Sequence, residues 1–243
     1  MKKEIRKLIL QRILSLYRKK DIKSIVLFGS QARSDFNKNS DYDIEVYLKR
    51  KQKKEKDCFY EEKIFISYTS PSQFKDLKKK RHSFLYCSFR DGIPLYGKRW
   101  FNKNKKNILK LVPSRETISL YLESSSEKLM IFDYKTMSYL EYEDGKSAAN
   151  QLGFAMLMNK GIYPISPHTL KKEIINLDKK YEKVAKAIKY IQEVYYQSKK
   201  PNKRVYKKNI ILLRNFSLKY ISKFFPEKLD KIKRYQRIMK KLR

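Results

Sequence analysis

The 243-residue chain predicts an α/β N-terminal domain with a small mixed sheet, followed by an all-α helical bundle. Three observations carry that expectation. Short apolar segments stopped by glycine or turn residues fill the first hundred positions, as strands alternating with helices do. From Pro113 the pattern changes to long helical periodicity with hardly any glycine. Between the two, "WFNKNKKNILKLVPS", about residues 100–113, reads as a polar connector. The expected organisation is a domain over 1–105, a helical bundle over 113–225 and a basic C-terminal helix or tail over 226–243.

Residues 3–19 place Ile5, Leu8, Ile9, Ile13, Leu14 and Leu16 at near-helical spacing, so the chain opens on an amphipathic helix. "SIVLFGS" is a buried strand stopped at Gly29, "QARSDF" a short helix, and "NKNS" turn chemistry. "DYDIEVYL" alternates carboxylates with apolar or aromatic residues, as a half-buried strand does. "KRKQKKEKD" is a solvated loop or edge, "KIFISY" a third strand, and the stretch to Gly97 a helix and a final turn or strand. Ser114 caps a helix to about Phe132, a second runs from about Asp144 to Asn159, and a third starts with Ser166 as cap and Pro167 at its first position. The third helix is expected to reach Ser198; "RVYKKNIILLRNFSLKYISKFF" makes a fourth, and the tail follows from Pro226. Such helices imply an antiparallel bundle.

Lys and Arg number 59 against 25 Asp and Glu, a net charge of +34. That favours an anionic partner, namely nucleotide, a nucleic acid such as RNA held on a basic surface, or an acidic membrane surface, and equally describes a lysine coat. The two cysteines, Cys58 and Cys87, have no metal-site spacing, as expected of a reduced, cytoplasmic protein. In the N-terminal helix Arg6, Gln11 and Arg12 interrupt every apolar run, so neither a leader peptide nor a membrane span is expected.

"VLFGSQARSDFNKNSDYDIEVYL" carries the chemistry. On a strand Asp41, Asp43 and Glu45 project together at intervals of about 6 to 7 Å, while Tyr42, Ile44 and Val46 face the other way. Like charges in a row repel unless a cation sits among them, and a hard divalent ion with oxygen ligands suits two carboxylates two residues apart. Gly29 lets backbone N–H groups approach an anion, Ser30 adds a hydroxyl, and Arg33 brings a fixed charge or locks the turn to the neighbouring strand.

The order Gly29, Ser30, Ala32, Arg33, then Ser40, Asp41 and Asp43 resembles the signature of the DNA polymerase beta-like nucleotidyltransferase superfamily, in particular its minimal and kanamycin-nucleotidyltransferase-like members. "SPSQF" and "RDGIPLYGK" look like the end of the same domain, so the resemblance covers about residues 1–105. It implies transfer of a nucleotidyl group, AMP from ATP, to a hydroxyl of a protein, a small molecule or an RNA. Asp41 and Asp43 would hold Mg2+ or Mn2+, Gly29, Ser30, Arg33 and Ser40 would bind the nucleotide, and the nucleotide would lie between sheet and bundle. Residues 113–225 are similar, more weakly, to HEPN-type helical bundles, best in "GKSAANQLGFAMLMNKGIYPISPHTLKKEI". The nuclease motif of some such bundles is missing, since neither His82 nor His168 follows an Arg at the required distance. The bundle would then bind the acceptor or form a homodimer contact.

The resemblance also implies a third carboxylate on the next strand, and alignment on "SPSQF" puts Phe65 there. Glu45 is therefore the candidate general base, with Glu61 and Glu62 as substitutes, unless Glu45 is a solvated strand-edge residue. The alternative is a catalytically weak nucleotide- or RNA-binding protein on the same fold. In "KLDKIKRYQRIMKKLR" of the tail, eight basic residues accompany one acidic, and Leu229, Ile232, Tyr235, Ile238 and Met239 make one apolar face, fit for docking or for RNA contact. Tyr181, Tyr190, Tyr195 and Tyr196 recur at helical spacing and read as packing.

Overall fold

The computed structural model describes residues 3–36, 40–51, 56–132, 139–197 and 201–241. Of the turn expected over 37–40, only Ser40 lies within them, and residues 52–55 of the lysine-rich loop fall outside. The chain divides into two compact units, Met1–Leu111 and Val112–Arg243.

The first unit is a five-stranded mixed sheet in the order β3-β4-β2-β1-β5, with strands β1 (Ile22–Phe28), β2 (Tyr42–Leu48), β3 (Lys56–Phe59), β4 (Ile64–Thr69) and β5 (Ile93–Tyr96). β2 and β4 run parallel; the other pairings are antiparallel. Helix α1 (Lys3–Leu16) buries Ile9 and Ile13, with Tyr17 one step further, against Ile25, Leu27, Ile44, Val46, Ile64 and Ile66 on one face. That apolar set is the strand alternation made physical. On the other face Val26 and Tyr47 meet Leu85, Phe89, Phe101 and Ile108. Those come from α4 (Ser83–Arg90) and α5 (Lys98–Ile108), beside α3 (Pro71–Lys79). α3 starts on a capping box, in which Gln73 N donates to Ser70 Oγ at 3.3 Å and Ser70 N to Gln73 Oε1 at 2.9 Å.

Residues 100–113 are not an extended connector, because α5 occupies most of them. Its turns bury Phe101 and Ile108, seven residues apart, and turn lysine and asparagine outward. Of the lysine-rich stretch expected as a solvated loop or edge, Lys56 and Asp57 open the edge strand β3 and pair with Ser67 and Ile66 of β4.

The second unit contains α6 (Arg115–Ile131), α7 (Tyr139–Met158), α8 (Leu170–Leu177), α9 (Glu182–Tyr196), α10 (Lys203–Phe224) and α11 (Leu229–Lys241). Ser114 caps α6, accepting from Thr117 N at 3.1 Å. The third expected helix is broken at Asp178, whose extended backbone and side-chain acceptance from Lys180 N at 2.9 Å end α8 and restart the chain. α6 packs on α7, α10 and α11, and α9 on α7, α8 and α10. Small residues such as Ala148, Ala149 and Ala155 let α7 lie close to its neighbours. The tail docks within this unit: Ile232 is buried, and Lys228 and Lys231 reach Glu123 of α6 at 2.8 and 2.6 Å. No helix among the described residues is long and apolar enough to cross a membrane.

Candidate active site

β1 ends, and β2 and β4 begin, at the same end of the sheet, which brings the Gly29–Ser30 turn beside the carboxylates. Gly29 has φ +73°, and α2 (Gly29–Arg33) starts there. In the β1–β2 register Phe28 faces Asp43. The carboxylate of Asp43 lies so close to the turn that a Cβ on Gly29 would stand 2.2 Å from Asp43 Oδ2. Only glycine fits both the conformation and the gap.

Asp41 stands just before β2, at the half-buried rim, and Asp43 is the second residue of the strand. Burial, then the neighbouring charge of Asp41, raise the Asp43 pKa to about 6, with Arg33 pulling the other way. A carboxylate held in that position gains from a cation. Among the described residues no group of three or more His, Cys, Asp or Glu side chains is placed to hold a metal ion. The arrangement is a two-carboxylate one, which suits an ion that completes its shell with water and phosphate oxygens.

Glu45 shares their face but is not a solvated edge residue: its exposure is 0%. The strand descends from the rim into the core, and Tyr47, next on that face, is buried with its hydroxyl 2.7 Å from Ser88 Oγ. Burial raises the Glu45 pKa to about 8; Thr69 opposes this weakly, yet neither carboxyl oxygen meets a donor in hydrogen-bonding geometry.

Arg33 is tied sideways, to Asp35 at 3.2 Å and to Asp91 at 3.4 Å, and Arg90 grips Asp91 at 2.6 and 2.8 Å. Asp91, which pins α2 to the end of α4, carries no spacing signal that points to it from sequence. Ser40 sits half-buried before Asp41. Phe65 is the register partner of Asp43 on β4, the place that alignment of the motif assigned to it. Glu61 and Glu62 lie exposed in the turn that enters β4. The histidines serve locally: His82 Nδ1 accepts from Phe84 N at 3.1 Å at the start of α4, and His168 packs against Tyr196 with centroids 5.1 Å apart and planes tilted at 42°.

Residues 11–99 match the family described as Polymerase beta, Nucleotidyltransferase. The matched segment lies within the N-terminal unit and is similar to the nucleotidyltransferase domain of that family. A solved structure similar to the chain is spectinomycin adenyltransferase AAD(9) from Enterococcus faecialis with ATP and spectinomycin. The likeness covers 89% of this chain and 99% of that one, at 16% identity and a TM-score of 0.53, which makes it a likeness of fold. A nucleotidyltransferase-like protein from Exiguobacterium sibiricum 255-15 aligns over 91% of this chain and 78% of its own, at 14% identity and a TM-score of 0.44. No curated protein matches the sequence. The matched segment contains every residue of the Gly29–Asp43 constellation.

Proposed function

We propose that the chain transfers AMP from ATP to an acceptor hydroxyl. One observation carries this reading: the Asp43 carboxylate packs against the Gly29 turn, so an acid and a phosphate-gripping backbone share one rim. Asp41 and Asp43 would hold Mg2+ or Mn2+ there, while the Gly29 and Ser30 N–H groups, the Ser30 hydroxyl and Ser40 take the β- and γ-phosphates. When bound, the ion neutralises phosphate charge and acidifies the acceptor hydroxyl. The acceptor oxygen bonds to the α-phosphorus, the bond to the bridging oxygen breaks, pyrophosphate leaves, and the acceptor proton passes to water. Arg33, held by Asp91, partly opposes the rise in the Asp43 pKa that burial and Asp41 cause. Glu45 enters as a buried carboxyl beneath Asp43, since a side chain with no exposed surface does not meet an acceptor directly.

Labelled ATP, incubated with magnesium and acceptors drawn from small molecules, proteins and RNA ends, tests the reading. Asp41→Asn with Asp43→Asn should abolish transfer while the protein melts within a few degrees of wild type; unchanged turnover would sink it. A second reading, a nucleotide- or RNA-binding protein without turnover, is favoured by Phe65 beside Asp43. ATP binding without transfer to any acceptor would select it.

A further inference from the structure

Phe65 does not stand alone beside Asp43. Tyr60, in the turn entering β4, meets it edge to face, with centroids 6.3 Å apart and planes at 89°. Tyr60 is 80% exposed, more than any other exposed large apolar side chain among the described residues. Phe36, 53% exposed, lies in the segment leading from α2 towards β2, at the same end of the sheet. Aromatic rings open to water at one rim are what a stacking surface requires and what a core does not.

The strand order decides which ligand they face. β2 lies between β1 and β4, so the Gly29–Ser30 turn flanks Asp43 on one side and Phe65 with Tyr60 on the other. In-line displacement sets the leaving and attacking oxygens on opposite sides of the phosphorus. With the pyrophosphate end at Gly29 and Ser30, as in the function proposed above, the acceptor approaches from the β4 side. There the chain presents rings where an alkyl or charged wall would serve an extended, acyclic acceptor equally well.

We propose that Tyr60, fixed by Phe65, is a positioning residue for the acceptor, and that the acceptor bears its hydroxyl on a flat-faced ring. The inference rests on the nucleotidyl-transfer reading. Aromatic and saturated rings share that face chemistry, and the probes separate them: tyramine, myo-inositol and, as the acyclic control, glycerol.

Binding of each probe to the full chain with magnesium and α,β-methylene-ATP is read by saturation-transfer NMR, and transfer of label from ATP by mass and radioactivity. One ring probe should bind at least about tenfold more tightly than glycerol. Tyr60→Ala should raise its KM by a similar factor with a smaller change in kcat, and Tyr60→Phe, which keeps the ring, should restore it. ATP affinity, measured separately, should stay within about twofold in Tyr60→Ala, which also shows that the variant is folded. Absence of any ring preference, or a KM that Tyr60→Ala does not move, overturns the platform while ATP binding stands. Failure of the wild type to bind ATP with magnesium overturns instead the reading on which it rests.

Discussion

Gly29 and Asp43 press against each other at the site, and the consequence can be measured in a single methyl group. Gly29→Ala places a Cβ 2.2 Å from Asp43 Oδ2 at a residue with φ +73°. Affinity for ATP should fall by about tenfold or more, and the melting temperature should drop, because left-handed backbone costs an alanine about 1 kcal/mol or more. Titration calorimetry and a melt check both. Glu45 offers a pH test with a defined sign. Its folded pKa of about 8 lies above its ordinary value of 4.5, so the folded state holds the extra proton and the neutral form is the stable one. Stability from this group is present at low pH and is lost as pH rises from about 4.5 through about 8. The wild type should therefore melt lower at pH 8.5 than at pH 5.5, and Glu45→Gln should flatten that fall while matching wild type near pH 5. An equal slope in both proteins would contradict a buried, unpaired Glu45. Alternation put Asp43 and Glu45 on one face of β2, with Asp41 just before the strand, and that much was legible. Depth was not, because it depends on how far Leu85 and Phe89 of α4, with α3 beside it, reach over the sheet.

The docked C-terminal helix is the element with the clearest single anchor. Lys228 and Lys231 converge on Glu123, whose pKa is lowered despite its burial by their hydrogen bonds and charge. Glu123→Gln leaves two lysines facing a neutral group and should cost about 1–3 kcal/mol. Amide exchange in α11 should accelerate, and that in α7 should not. Uniform change across both helices would show that the anchor does not act locally. The basic apolar face of this segment was readable from spacing, but docking and RNA contact were equally compatible with it. Burial of Ile232 chose docking for that face and left Lys233, Arg234 and Arg237 exposed. The same ambiguity of short signals hid α5: Asn and Lys at its outer positions read as linker, while the two positions that matter, Phe101 and Ile108, are only seven residues apart.

Across the whole molecule the +34 charge is the dominant property, and it makes a prediction independent of the site. If RNA is a partner, affinity for a single-stranded oligonucleotide should fall by about tenfold or more between 50 and 200 mM salt, through release of counterions. Lys233→Gln with Arg234→Gln and Arg237→Gln, which leaves Ile232 and the Glu123 anchor in place, should flatten that slope. No binding at about 50 mM salt would leave the charge as a surface coat. The sequence by itself determined the α/β-then-helical order, the Gly29–Ser30 turn, the shared face of the carboxylates and the absence of an acid at Phe65, because each follows from local periodicity and turn chemistry. The tertiary structure alone decided that Asp43 rests on Gly29, that Glu45 is sealed from water, that Asp91 holds Arg33 and that Tyr60 stands beside Phe65. Apart from Tyr60 and Phe65, which meet across the turn into β4, these depend on segments distant along the chain, set by strand pairing and by the helices laid over the sheet, and no local spacing encodes them.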